Sequence, residues 1–355
     1  MRNIPWKQRL PGYIATALFT VTTGLWVFWG TAEMYYEGWG APFPLPLAYL
    51  IPGVVCLLAT ALVLTWPRFG GWALIAGGAL FTVWVLGLQI RRAGGFDFWA
   101  ILSFFPISGL IVIVGVLFLF EGRRRRRDRE AGQLPHPNWW LRNLHYLVAL
   151  GVPLLVSVIV SIVQLPGILA RVDDGDRSER LIEGNEVTLV WAPAGPGWNW
   201  KQPWGGYPSW DSLALYGRPP IGIERKLPDK DTHATQEDMQ AYGLCRYLSA
   251  DGLALMDEPQ DVWRMPTTDE FVRSLVKRGE NAGCSWDGEG GQVPCHVRPD
   301  KETPLWAPEQ EPIYMWTGEA SDQGEAWFVS YNGYVRDQPK NWGNPRHGYR
   351  CVREP

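Results

Sequence analysis

Five apolar stretches, each about 20 residues long or longer, occupy the first half of the 355-residue chain. A lipid bilayer has a hydrocarbon core about 30 Å thick, which a helix of roughly 20 apolar residues can cross. Because no water is available there to satisfy backbone polar groups, such segments are helical. The sequence therefore predicts an all-α membrane domain with five transmembrane helices, at 13–32, 47–66, 72–90, 99–120 and 144–170.

Lysine and arginine are distributed unevenly among the loops between the predicted helices. Short cytoplasmic loops are enriched in these residues, and the enrichment sets the orientation of the helices. The loop 33–46 has neither residue, and the next loop on the same face has only Arg91 and Arg92. The opposite face carries Arg2, Lys7, Arg9, Arg68, Arg123–Arg127, Arg129 and Arg142. The pattern predicts a cytoplasmic N-terminus and, with five crossings, a C-terminal region outside the cytoplasm.

The composition changes abruptly near residue 172. Residues 1–172 contain 14 Lys and Arg against 6 Asp and Glu, a formal charge of +8, whereas residues 173–355 carry a charge of −11. The first part consists of long apolar runs, and the second is polar and rich in Trp, Gly and Pro. We therefore predict a membrane domain over 1–170, a charged linker over 171–185 and an exterior domain over 186–355.

Four of the five cysteines fall in the predicted exterior domain, namely Cys245, Cys284, Cys295 and Cys351. Disulfides form in oxidising compartments, so four cysteines there predict two bridges, with three possible connectivities. Cys56 lies alone inside the second predicted helix, where it acts as a small apolar side chain.

Two short helices are predicted in the exterior domain from their N-terminal caps. Thr235 and Asp238 have the spacing of a capping box, and the helix that they open extends to about residue 249. Thr267 or Thr268 caps a second helix, and Gly279 is expected to stop it.

The strands are predicted from alternation and from one turn signal. Residues 186–191 alternate and predict a first strand. Residues 326–335 are aromatic and β-branched, and their Asn332–Gly333 dipeptide favours a two-residue hairpin turn in which both positions need positive φ. Residues 349–352 predict a last short strand. The exterior domain is therefore predicted to be α+β, with a small antiparallel sheet and two short helices.

Four short blocks of the exterior domain carry a resemblance to a known family. They are WRMPTTDEF at 263–271, YMWTGE at 314–319, AWFVSYNGYV at 326–335 and YRCVR at 349–353. Together they resemble the Lcl C-terminal domain, a bacterial family of exported domains that is similar in outline to C-type lectins and to formylglycine-generating enzymes. The resemblance covers about residues 186–353. It implies a C-type-lectin-like domain, periplasmic or extracellular, held at the bacterial inner membrane.

The resemblance also implies structural roles for individual residues. In lectin-like folds the first helix packs on the last strand, which implies a Cys245–Cys351 bridge. Cys284 and Cys295 then remain to close a Gly-rich loop. Trp263 and Trp327 are expected in the core. The motif residues expected to hold the fold are Trp263, Pro266, Trp327, Asn332 and Gly333.

No candidate chemical site matches its template. Formylglycine-generating enzymes hold copper with closely spaced cysteines, whereas a Gly-rich loop separates Cys284 from Cys295. Residues 338–342 (QPKNW) are similar to the calcium loops of lectins, but Lys340 replaces an oxygen ligand, so a solvated loop is expected. The histidines of the domain, His233, His296 and His347, do not have the spacing of a metal-binding pair, and no catalytic triad is recognisable around them. We therefore expect no catalytic residue, metal or cofactor.

Tryptophan is abundant, with 21 residues in the chain, and many of them lie in the exterior domain. Trp is enriched at binding hot spots and in sugar-stacking platforms. Trp198, Trp200 and Trp204 lie in an aperiodic segment rich in Gly and Pro. We therefore expect these three residues to face a partner rather than the core.

The sequence thus favours a non-enzymatic integral membrane protein. It would be an accessory or scaffolding subunit of a larger membrane complex, for example a respiratory or photosynthetic one, whose exterior domain docks other integral membrane or periplasmic proteins. A cell-surface receptor for glycan or peptidoglycan is the second interpretation, and a formylglycine-generating oxidase is a disfavoured third. The basic run 123–127 fixes the topology and could also attract anionic lipid. No nucleic-acid partner is indicated.

Overall fold

The computed structural model describes residues 10–39, 43–93, 98–132, 138–199, 201, 206–218 and 233–355, with the side chains of 89–93, 98–107 and 141–142 left out. The chain divides into two compact units. Unit 1 comprises Met1–Tyr36 and Pro44–Pro166, and unit 2 comprises Glu37–Phe43 and Gly167–Pro355. The division after Pro166 lies close to the predicted domain boundary at residue 170.

The N-terminal half forms long apolar helices, as the sequence predicts. They are α1 (Leu10–Glu33), α2 (Ile51–Thr65), α3 (Pro67–Ala93), α4 (Phe98–Glu130) and α5 (Trp139–Leu169). Among the described residues, four segments are long and apolar enough to span a membrane, namely Leu10–Gly38, Leu45–Thr65, Pro67–Leu88 and Asn143–Leu169. The predicted span 99–120 lies in α4, and part of it falls outside the described side chains.

Small residues allow α3 and α4 to pack backbone against backbone. A Cβ atom added to Gly71 would lie 2.8 Å from the Gly115 carbonyl oxygen, and one added to Gly115 would lie 2.8 Å from the Gly71 carbonyl oxygen. Hydroxyl pairs join other helices: Thr23 and Thr60 approach to 2.9 Å between α1 and α2. Close approach at glycine and interhelical hydrogen bonds are typical of helices packed in lipid.

Unit 2 is rich in β-sheet. Its strands are β1 (Arg180–Gly184), β2 (Val187–Trp191), β3 (Trp198–Asn199), β4 (Val276–Lys277), β5 (Glu280–Asn281), β6 (Gly291–Gln292), β7 (Tyr314–Ala320), β8 (Glu325–Ser330), β9 (Tyr334–Pro339), β10 (His347–Arg350) and β11 (Val352–Arg353). A six-stranded sheet has the order β3-β10-β7-β8-β9-β6, and a three-stranded sheet has the order β1-β2-β11. Only the pairing of β10 with β7 is parallel among the pairs of the described strands.

The predicted linker 171–185 contains a strand, which is a correction to the sequence analysis. β1 pairs along its whole length with β2, from Arg180↔Trp191 to Gly184↔Val187. The turn between them is Asn185–Glu186, where both residues have positive φ, 52° and 68°. In β1 only Ile182 is buried. An edge strand with one buried residue has no apolar alternation, so its charged sequence resembles that of a linker.

The β8–β9 hairpin exists, but its turn differs from the predicted one. Val329 pairs with Val335, and the Gly333 N–H donates to the Ser330 carbonyl oxygen at 3.0 Å. Of the two predicted turn residues only Gly333 has positive φ, +81°, so Asn332 does not adopt the left-handed conformation of a two-residue turn. The loop between β8 and β9 has three residues, 331–333, rather than the predicted two, and glycine occupies its left-handed position.

Both predicted helix caps are present in unit 2, whose helices are α6 (Trp210–Ala214), α7 (Gln236–Tyr242) and α8 (Thr268–Arg273). Thr235 caps α7 in a capping box with Asp238, and Thr267 caps α8 with Glu270. α7 ends earlier than predicted because Gly243 is extended, and a 3-10 turn, Leu244–Tyr247, follows it. Gly279 does not stop α8. It lies in the β4–β5 turn with φ of +78°.

Candidate functional site

A recess of about 700 Å³ opens on unit 2. Its walls are α7, the 3-10 turn after it, the segment around the WRMPT motif and the end of β7. Its floor is apolar and rich in sulfur, because Met239, Met265, Cys245 and Trp263 are all at least nine-tenths buried. Its rim is polar and consists of Gln236, Gln240, Arg246, Asp261, Arg264, Thr267, Glu270 and Glu319.

The WRMPT motif forms one wall because it is tied to two sheets and a loop. The Trp263 indole N–H donates to the Ser249 carbonyl oxygen at 3.0 Å. Arg264 exchanges two backbone hydrogen bonds with Val352, each 2.8 Å long. The Pro266 carbonyl oxygen accepts from the Gly318 N–H at 2.8 Å. Trp263 is 1% exposed, so this motif residue lies in the core, as expected.

Ion pairs hold the charged side chains of the rim in place. The Arg264 guanidinium binds both oxygens of Glu270 at 2.7 Å and reaches Glu354 at 2.7 Å. Arg246 binds Asp261 at 2.6 Å. Burial alone would raise the pKa of Glu270, but hydrogen bonds from Arg264 and from the Thr267 N–H lower it below its usual value. The hydrogen bond to Glu270 raises the pKa of Arg264.

The Gln236 side chain closes the edge of β7 beside the recess. Its amide nitrogen donates to the Gly318 carbonyl oxygen at 2.7 Å, and its amide oxygen accepts from the Ala320 N–H at 2.9 Å. A side-chain amide thus takes the place of a neighbouring strand. Glu319, between the two bonded residues, accepts from the Thr268 N–H at 2.7 Å.

A disulfide lies at the floor of the recess. Cys245 and Cys351 are bonded, with Cα atoms 5.7 Å apart, and this bridge joins residues 106 positions apart. Cys284 and Cys295 are bonded in the second bridge, with Cα atoms 3.9 Å apart. These are the two pairs that the family resemblance implies.

Trp198 does not face a partner, which corrects the expectation from the sequence. It is 3% exposed, and the Arg350 guanidinium lies 3.7 Å from its ring centroid. Trp200 and Trp204 lie outside the described residues. Trp327, predicted to lie in the core, is only half-buried, because strand alternation directs Ala326 and Phe328 to the core instead. It contacts Trp286 edge to face at 5.5 Å.

Lys340 is buried rather than solvated, a second correction. It is 2% exposed, and its ammonium donates to the Ala234 and Gln323 carbonyl oxygens at 2.9 and 3.1 Å. It also lies 4.8 Å from the centroid of the Trp210 ring. Burial lowers the pKa of Lys340, and the nearby Asp211 carboxylate opposes this effect. A lysine in a Gly/Pro-rich loop gives no sequence signal of burial.

Lys301 and Arg350 are also buried, and no sequence pattern indicates their burial. Lys301 is 1% exposed and donates to the Gln310 carbonyl oxygen. Its burial, together with nearby Arg171, lowers its pKa to about 7. Arg350 is 0% exposed and donates to the carbonyl oxygens of Ala192, Pro304 and Leu305 at 2.7–2.9 Å.

Two histidines of unit 2, His233 and His347, lie in different surroundings. His233 contacts Asp211 at 3.0 Å. His347 is fully buried and stacks on Trp316. Among the described residues, no group of three or more His, Cys, Asp or Glu side chains has a geometry that could hold a metal ion.

Comparison with known proteins gives no relative for this chain: no family model, no curated protein and no solved structure matches it. The resemblance to the Lcl C-terminal domain therefore remains an expectation. The functional interpretation depends on the chemistry of the chain's own residues.

Proposed function

We propose that this protein is a non-enzymatic integral membrane protein that docks a partner protein through the recess of its exterior domain. In this proposal five helices cross the bacterial inner membrane with the N-terminus in the cytoplasm. Unit 2 is a lectin-like domain outside the cytoplasm, and the whole chain is an accessory subunit of a larger membrane complex. The apolar helices of the N-terminal half, together with the disulfides of unit 2, are consistent with a membrane protein that has an exterior domain.

The observation that supports docking is the contrast between the floor and the rim of the recess. Stable protein interfaces have an apolar, desolvated centre surrounded by a polar, solvated rim. Here Met239 and Met265 form an apolar centre, and methionine adapts its shape to an incoming side chain. The rim is held by the Arg264–Glu270 and Arg246–Asp261 ion pairs.

The same rim argues for recognition rather than chemistry. A catalytic carboxylate is tuned toward the working pH by burial or by a like charge. Glu270 has the opposite shift, since hydrogen bonds from Arg264 hold its pKa below the usual value. Glu270 therefore stays deprotonated at neutral pH and acts as a fixed anion. Fixed charges around an apolar hollow give specificity at low reorganisation cost.

The test is gentle solubilisation of the full chain followed by native gel electrophoresis. We expect the wild type to migrate with a partner, and Asp261→Lys to reduce the comigrating fraction severalfold, because a half-exposed rim anion becomes a cation next to Arg246. Asp257→Lys is the matched control, since this residue is exposed and does not line the recess. A monodisperse wild-type monomer with no copurifying protein would refute the proposal.

A glycan or peptidoglycan receptor is the second candidate. It is supported by the half-buried Trp286–Trp327 pair, whose rings are 5.5 Å apart, and by Trp342, which is 48% exposed. Partly exposed aromatic rings are the usual stacking surfaces for sugars. A glycan array with the full chain in detergent tests this function, and Trp327→Ala should abolish any binding found. The formylglycine-type oxidase gains no support, because Cys284 and Cys295 are bonded to each other.

A further inference from the structure

The C-terminal end of α4 carries a run of six arginines, at 123–127 and 129, which differ in their surroundings. Arg124 and Arg125 are half-buried, whereas Arg123, Arg126, Arg127 and Arg129 are exposed. The two half-buried arginines both bind Glu121, at 2.6 and 2.8 Å. These two residues therefore serve the packing of unit 1 and are not available to a ligand.

The position of this run is fixed by contacts to the turn between α2 and α3. Arg125 donates to the Leu64 carbonyl oxygen at 2.8 Å, and Gly122 lies against the backbone and side chain of Arg68. Leu45–Thr65 and Pro67–Leu88 are both apolar enough to span a membrane, so the turn that joins them belongs at a bilayer surface. Trp66 and Phe69 in and beside this turn are 61% and 65% exposed, as in an interfacial aromatic belt.

The exposed arginines divide again by their partners. Arg126 forms an ion pair with Glu130 at 2.6 Å, in which both side chains are exposed. In the described part of the chain, no carboxylate pairs with Arg123 or Arg127. These two residues are four positions apart, so they project from the same face of the helix. Phe120, 51% exposed, lies one turn before Arg123 and two turns before Arg127 on that face, and the Arg123 guanidinium lies 5.9 Å from its ring centroid.

We propose that Arg123 and Arg127, with Phe120 beneath them, form a binding site for the headgroup of an anionic phospholipid. Within two helical turns, this face changes from an apolar ring, which suits acyl chains, to two guanidinium groups that pair with no carboxylate among the described residues. A guanidinium donates two parallel hydrogen bonds to a phosphate, which makes arginine suited to this ligand. Arg68 and Arg129, both exposed, add positive charge at the same end of the unit. The site requires α4 to cross the bilayer, as in the proposed function.

The test uses full-length protein purified in a neutral detergent and titrated with phosphatidylglycerol or phosphatidylcholine, with native mass spectrometry as the readout. We expect wild-type protein to bind phosphatidylglycerol more tightly than phosphatidylcholine. Arg123→Gln and Arg127→Gln should each weaken phosphatidylglycerol binding about fivefold, which corresponds to ~1 kcal/mol per basic residue near a membrane surface. Arg123→Lys keeps the charge but loses the paired hydrogen bonds of the guanidinium, so it should recover only part of the affinity that Arg123→Gln loses.

Arg126→Gln is the matched control, because it removes the same charge from a residue already paired with Glu130. It should change the affinity less than about twofold, because the Glu130 carboxylate already offsets the charge of Arg126. Equal losses for Arg126→Gln and Arg127→Gln would overturn the proposal, since the attraction would then be diffuse. Equal wild-type affinity for the two lipids would also overturn it. Because the protein is already solubilised, neither result depends on a partner of unit 2.

Discussion

His347 should make the stability of unit 2 depend on pH, because its ring is buried among aromatic side chains. The side chain is 0% exposed and stacks on Trp316, with ring centroids 4.7 Å apart. The Tyr314 and Phe328 rings complete an aromatic cage around it, with centroids 5.2 and 5.6 Å from the His347 ring centroid. Neither ring nitrogen has a hydrogen-bond partner in the part of the chain that the structure describes. Burial lowers the pKa of His347 from 6.5 to about 3.

The direction of the effect follows from which state binds the proton. In the unfolded chain His347 takes up a proton below its ordinary pKa near 6.5, whereas in the folded state it remains neutral until about 3. The free energy of unfolding is therefore unaffected by this group above the unfolded pKa, and it decreases by ~1.4 kcal/mol for each pH unit below it. Between about pH 6.5 and about pH 4.5 the loss is roughly 2–3 kcal/mol, a substantial part of the ~5–15 kcal/mol of an ordinary domain.

The informative variant is His347→Phe, which keeps an aromatic ring in the cage and removes the titration. The measurement is urea unfolding of the full chain in detergent, followed by tryptophan fluorescence at several pH values between about 4.5 and 7.5. Carboxylates titrate in both proteins, so the difference between the two pH profiles isolates His347. We expect the wild type to lose more stability than the variant on acidification. Parallel profiles would refute the argument that this histidine is neutral and buried.

Three further predictions concern the core, the disulfides and the topology. Trp263→Ala should lower the free energy of unfolding by about 3–5 kcal/mol, because a fully buried indole is removed, and a loss below about 1 kcal/mol would contradict its place in the core. Non-reducing peptide mapping should link Cys245 to Cys351, and a Cys245 peptide joined to Cys284 would contradict the fold. A periplasm-dependent reporter fused after Pro355 should be active, whereas the same reporter inserted near Arg129 should be silent; the opposite result would reverse the proposed orientation.

Those parts of the fold that depend on local sequence were predictable. Apolar helices are recognised by length and composition alone, and a capping box needs only two side chains three positions apart, as at Thr235 and Asp238. The parts that depend on distant partners were not predictable. β1 is a strand because β2 covers one edge of it, and its single buried side chain, Ile182, gives no periodic signal.

The recess was predictable only in part. The WRMPT motif, which forms one wall, is visible in the sequence. The capping box at Thr235 predicts α7, which forms another wall. The end of β7 connects these two walls, because Gly318 forms hydrogen bonds with Pro266 and with Gln236. These residues are more than 50 positions from Gly318, so no local sequence pattern predicts the contacts. The same reason explains why the burial of Lys340 was missed, since its partner Ala234 is 106 positions away.

Two of the buried cations indicate a structural use for the tryptophans of unit 2. A buried charge needs compensation for its lost hydration, and a carboxylate is the usual source. Among the described residues, Arg350 has no carboxylate partner; it donates instead to three carbonyl oxygens and lies 3.7 Å from the Trp198 ring centroid. Lys340 repeats the arrangement with two carbonyl oxygens and the Trp210 ring. Aromatic faces stabilise cations by ~2 kcal/mol or more when water is excluded.

This role changes where a binding surface should be sought. Trp198 and Trp210 stabilise internal cations. The abundance of tryptophan in the sequence therefore does not by itself indicate a binding partner. Among the described tryptophans of residues 167–355, three have free surface: Trp342 is 48% exposed, and Trp286 and Trp327 are half-buried. Replacing Trp198 should therefore damage the fold by leaving a buried guanidinium poorly compensated, whereas replacing Trp342 should leave the fold intact and affect only what binds to it. The contrast between these two substitutions separates structural from recognition roles of tryptophan in this domain.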